Sequence, residues 1–230
     1  MTTLRGARAV SLTRRRSRAN PLARTFAQFL RHCILILRHP TEALWEIKYE
    51  GQWIAVPILV ALAVAVHLIV IQFTAYEFTT VEPETTNLLL EVAKVLAPWA
   101  TWVVSCYGIS SIFYGEGTFK NVAVCSAYAL LPYVLFNAEY SVIFSHVLSL
   151  DEKVLYYLGQ SLITFWMLFL FWLHLKVVHD FPFGKSILVG ALSIFGMIVI
   201  WVLLALIYLL TLQMVQFFVE IAYEFVTRGP

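Results

Sequence analysis

An acidic side chain at membrane depth is the sharpest chemical signal in this sequence. Glu139 lies inside the apolar run from Asn121 to Leu148, with Asn137 two residues before it and His146 seven after. Such a group costs roughly 3 kcal/mol at mid-bilayer unless it is paired or hydrated. On one continuous helix Tyr128, Pro132, Glu139 and His146 share a face, and Ser126, Tyr133, Asn137, Tyr140 and Ser141 lie on roughly the opposite one. His67 and Gln72 in an earlier apolar run, and Glu91 and Lys94 at the start of another, are the groups within reach as partners. Glu139, Asn137, His146 and His67 therefore form a candidate intramembrane polar site. It is either a path for protons or ions or a set of neutral, hydrogen-bonded packing contacts.

Other chemistry is thinly represented. His174, Lys176, His179 and Asp180 follow one another near the end of a later apolar run without acids at metal-ligand spacing, so solvation at the interface is the expectation. No His-Glu-x-x-His, Gly-x-Ser-x-Gly or phosphate-binding glycine loop occurs. Cys33, Cys106 and Cys125 are too scattered for a disulfide framework or a metal site and read as structural thiols. The sequence therefore predicts no enzyme, cofactor, metal or nucleic-acid partner.

The elements that must position these residues follow from composition. With 60% hydrophobic and 13% charged residues, the 230-residue chain cannot build one soluble core and still solvate its surface. It reads as an all-α integral membrane protein, a five-transmembrane-helix bundle preceded by a cytoplasmic amphipathic interfacial helix. Residues 1–20 carry six arginines and no acid, as a disordered basic tail does. Across residues 21–50, Leu22, Phe26, Phe29, Leu30, Cys33, Ile34 and Leu37 recur at helical spacing opposite Arg24, Gln28, Arg31 and Arg38. That helix suits the headgroup zone of an anionic bilayer or the ends of the spans. His39-Pro40 ends it, and Thr41 is the expected cap of a second short helix.

Within the membrane domain, residues 51–219, the spans are expected at about Trp53–Thr74, Leu88–Phe113, Asn121–Leu148, Leu155–Val178 and Ser186–Phe218. The last is too long for a hydrocarbon core of about 30 Å and must tilt, break or project. Residues 220–230 form a short external tail. Ten lysines and arginines precede the first span, and Lys120, Lys176 and Lys185 share its side, whereas Lys94, Lys153 and Arg228 lie on the other. That bias predicts a cytoplasmic N-terminus and an external C-terminus. Gly190, Ser193 and Gly196, with Ser186, line one side of the fifth span, and Ser105, Gly108 and Ser111 one side of the second, as close-packing faces do.

Spans two and three are joined by a polar turn, YGEGTFK, and span three opens on AYALLP. Gly115 and Gly117 permit positive φ in a tight turn, Lys120 reaches for headgroups, and Pro132 removes a backbone donor and kinks the helix near Tyr128. Gly115, Gly117, Phe119, Lys120, Tyr128, Ala129, Leu131 and Pro132, together with HPTEALWEIK from His39 to Lys48, resemble the Yip family of Ypt/Rab-GTPase-interacting membrane proteins, particularly its short bacterial members. The resemblance spans about Leu37 to Leu212 and implies a five-span, non-catalytic membrane protein. The brief tail departs from the long cytoplasmic regions of the eukaryotic members.

The expected function is a scaffold or accessory subunit of a larger membrane assembly, in line with bacterial relatives that resemble accessories of transport systems. The alternative is a small transporter or channel using the Glu139/Asn137 pathway. Expected partners are a bilayer with anionic headgroups and a membrane protein or second copy. The expected location is the bacterial cytoplasmic membrane or, alternatively, a eukaryotic endomembrane.

Overall fold

The computed structural model describes residues 21–78 and 87–227. The basic tail expected over residues 1–20 and most of the acidic loop after the first span lie outside them. Helices α1 (Pro21–Arg38) and α2 (Pro40–Glu50) form a hairpin against one end of the bundle. α3 (Ala55–Phe73), α4 (Leu88–Ile112), α5 (Phe119–Ala129), α6 (Leu131–Val147), α7 (Lys153–His179) and α8 (Phe183–Thr227) follow. Counting α5 and α6 as one interrupted span, five stretches are long and apolar enough to cross a membrane, and no strand occurs among the described residues.

The interrupted span is the centre of the molecule. Every residue from Val122 to Pro132 is buried, because α2, α3, α4 and α7 all pack on α5. Pro132 carries no N–H, so the α-helical ladder cannot continue through it; Leu130 instead donates to the Ala127 carbonyl at 3.1 Å, a tighter three-residue closure. Beyond this joint the span is covered on one side only. Asn137, Ser141 and Ser145, at i, i+4 and i+8, are buried, while Leu135, Phe136, Glu139 and His146 face outward.

Two local expectations are corrected. Thr41 does not cap α2: the N-cap is His39, with no side-chain cap bond, and Pro40 supplies the fixed φ that starts the helix. Neither Gly115 nor Gly117 has positive φ; the left-handed residues are Tyr114 (φ 55°) and Asp180 (φ 52°), the latter closing α7.

α1 divides its apolar face. Phe29, His32, Cys33 and Ile36 turn toward the bundle, with Phe29 and His32 rings 6.0 and 5.9 Å from that of Tyr128. Phe26, Leu30 and Ile34 form a second, exposed stripe. Burial pushes the Cys33 thiol up to about 11, which keeps it unreactive at neutral pH. The three cysteines are free thiols.

α8 is about 68 Å long for its 45 residues. Its first part packs chiefly on α4, with Ser186, Val189 and Ser193 buried. From Trp201 to Glu220 every residue is exposed, and the run is strongly apolar.

Candidate functional site

Polar chemistry gathers at both ends of the bundle. At the end remote from the α1–α2 hairpin, His67 of α3 sits six residues from the end of its helix and Glu91 lies in the first turn of α4, where the positive helix end favours an acid. His67 Nε2 is 3.0 Å from Glu91 Oε2, His67 Nδ1 is 3.3 Å from the Tyr133 hydroxyl of α6, and Lys94 pairs with the other Glu91 oxygen. Glu91 is buried at 4% exposure, half of the Lys94 side chain reaches out, and His67 is intermediate. The neutral-ring arrangement that satisfies every group has the Tyr133 hydroxyl donating to Nδ1 and Nε2–H donating to the carboxylate. Three helices are tied by this one chain of hydrogen bonds, which contains the proton-accepting groups a relay needs and equally suffices as a static staple.

The sequence-predicted residues divide around it. His67 is in the network and Asn137 is buried one turn beyond Tyr133 on α6. Glu139 is exposed on the outer side of α6 with no hydrogen bond or ion pair among the described residues. His146 is also exposed, with Nδ1 2.8 Å from the carbonyl of Val142 in its own helix. Gln72, weighed as a partner, is exposed. Glu139 is thus not brought to His67, because the bundle wraps both sides of the interrupted span at Pro132 but only the Asn137 side seven residues later. The inward polar stripe bonds to its neighbours: Gln160 Nε2 donates to Ser141 Oγ at 2.8 Å, and the Ala75 N–H donates to Ser145 Oγ at 3.1 Å.

At the hairpin end, the glycine turn closes on α7. The Gly117 N–H donates to His179 Nδ1 at 3.3 Å. A methyl group on Gly115 would stand 2.9 Å from His179 Cγ and 3.0 Å from Phe181 Cζ; one on Gly117 would stand 2.9 Å from His179 Cε1. Gly115 is required by this imidazole, which stacks on Phe181 at 5.4 Å, and Gly117 by the imidazole together with the Val178 side chain. His174 and His179 are 0% and 2% exposed, which overturns their expected interfacial solvation: α2 and α5 cover this end of α7. His174 lies edge-on to the rings of Trp102 and Phe171. Phe119 packs on Trp53 and Tyr107, Lys120 is exposed at the rim, and Tyr128 is 1% exposed beneath α1.

Among the small residues of α8, Ser193 and Gly196 meet α4. Ser105 Oγ donates to the Ser193 carbonyl at 2.6 Å, and a Cβ on Gly196 would collide with that hydroxyl. Gly190 faces α7 more loosely, since a Cβ added there would stand 4.0 Å from Trp172 Cδ1, and Gly108 faces open space. Gly159 of α7 was missed by sequence reasoning, although a Cβ there would lie 2.7 Å from Tyr140 Cε2. Metal-ligating side chains approach one another elsewhere, where His32, Glu46 and Glu50 meet between α1 and α2.

The glycine turn, the buried Tyr128 and the proline break lie in one continuous segment, and the family model described as the Yip1 domain matches residues 34–206. The chain belongs to the Yip1 family. The match takes in the last turn of α1, α2 through α7 and the first half of α8, so the Yip1 domain here is the bundle together with α2. No curated protein and no solved structure matches the chain. The Yip1 domain and the apolar helices make this an integral, multi-spanning membrane protein in contact with the bilayer. Membership of this family is compatible with a non-catalytic membrane role.

Proposed function

We propose that this Yip1-domain protein is a non-catalytic scaffold or accessory subunit of a larger membrane assembly, working beside a transport system. The observation that supports this reading is α8, whose apolar segment from Trp201 to Glu220 is left uncovered by the other described residues. Even 20 residues of helix cross a hydrocarbon core of about 30 Å, so 45 residues leave a substantial apolar length that lipid tails at a single crossing do not accommodate. A partner helix laid along it would bury that surface. The proposed orientation places the α1–α2 hairpin in the cytoplasm and the end of α8 outside, in a bacterial cytoplasmic membrane, with anionic headgroups around α1.

Purification of the tagged chain from its native host in mild detergent, followed by native mass spectrometry, tests this. A stoichiometric companion is expected. A lone monomer or a homo-oligomer overturns the accessory role and shifts weight to a transporter built around Asn137 and Glu139. That second reading has one specific observation in its favour, the chain of titratable groups Tyr133, His67 and Glu91 between α3, α4 and α6. Under it, purified chain in liposomes moves a solute and Glu91→Gln stops it; under the scaffold reading the purified chain moves none.

A further inference from the structure

We propose that His32, Glu46 and Glu50 form a binding site for a divalent transition-metal ion, with zinc as the best-matched ion, that staples α1 to α2. Glu46 and Glu50 are four residues apart on α2 and therefore project from the same face, and the hairpin brings His32 of α1 opposite them. One imidazole nitrogen and one oxygen from each carboxylate all lie within 4.8 Å of one another.

The imidazole carries the argument. His32 is 3% exposed, yet its ring makes no hydrogen bond among the described residues; its neighbours are the Tyr128 ring, edge-on at 5.9 Å, and the two carboxylates. Access is provided by a narrow cleft whose lining includes Gln28, His32, Glu50, Gln52 and Tyr128.

One nitrogen and two carboxylate oxygens suit zinc, which takes ligands of both kinds at about 2.0–2.2 Å and leaves a fourth position for water. Ligand atoms around such an ion stand roughly 3.4 Å apart by that geometry, so closing the site requires a movement of about 1 Å. Glu50 is exposed and makes no ion pair among the described residues, so it is free to supply that movement. Glu46 is engaged by Arg31, 2.9 Å away, and Arg31 is itself two-thirds exposed. The guanidinium therefore competes with the metal for Glu46, giving the site a signed prediction.

The test uses the full chain in detergent with a tag free of histidine, titrated with zinc chloride against a chromophoric chelator. One zinc per chain is expected. Glu50→Gln should weaken binding at least tenfold without unfolding the protein, since this side chain is exposed, and Arg31→Gln should tighten it severalfold. Zinc should also slow proteolysis in the turn at His39-Pro40 of the wild type and not of Glu50→Gln. Absence of saturable binding overturns the proposal. So does binding that Glu46→Gln and Glu50→Gln both leave unchanged, which assigns the zinc to other side chains, or an Arg31→Gln protein that binds more weakly.

Discussion

Replacing Gly115 by alanine tests why the family-like turn carries glycine. Its φ is not positive, so alanine is conformationally allowed, and on backbone grounds alone the change would stabilise the chain by about 0.4–1 kcal/mol. The added methyl instead meets His179 Cγ at 2.9 Å and Phe181 Cζ at 3.0 Å, which forces a ring in the most enclosed part of the bundle to retreat by roughly 0.5–1 Å. Overpacking of that kind costs about 1–3 kcal/mol, so a net destabilisation of about 1–2 kcal/mol is expected. In a His179→Ala background the imidazole is gone and only the Phe181 contact at 3.0 Å remains, with room for that ring to shift, so Gly115→Ala should be close to neutral. The assay is a double-mutant cycle in detergent, with unfolding followed by circular dichroism. A coupling of about 1–3 kcal/mol is the expected result. Equal effects of Gly115→Ala in the two backgrounds would refute the claim that the ring dictates the glycine.

Three further outcomes follow from the packing. His67→Ala should cost about 2 kcal/mol, because it removes a hydrogen bond to a buried carboxylate, whereas Lys94→Ala should cost no more than about 1 kcal/mol, because more than half of that side chain is exposed; the same unfolding assay checks the order. Gly196→Val should separate α8 from α4 by driving a side chain into Ser105, read as loss of a disulfide engineered between the two helices. Serine at Phe26, Leu30 and Ile34 together should lower binding of an isolated α1 peptide to anionic vesicles at least tenfold while leaving its binding to neutral vesicles weak throughout, since each buried apolar side chain contributes about 1.5–3 kcal/mol.

The sequence by itself determined the membrane class, the five apolar spans, the amphipathic first helix and the break at Pro132, because each is set by local hydropathy, helical periodicity or a missing backbone N–H. The motif residues were legible too, but their reason was not. Gly115 and Gly117 look like turn glycines until α7, more than sixty residues away, lays His179 against them. Glu139 and His67 look like partners until the bundle is seen to wrap the third span fully at Pro132 and on one side only at Glu139, which leaves His67 to Glu91 and Tyr133. Glu46 and Glu50 stand at helical spacing, but His32 joins them only because the His39-Pro40 turn folds α1 back on α2. Which polar groups meet depends on helix rotation and on how many neighbours surround each level of the bundle. Those are properties of the packed assembly of helices, and no single helix encodes them.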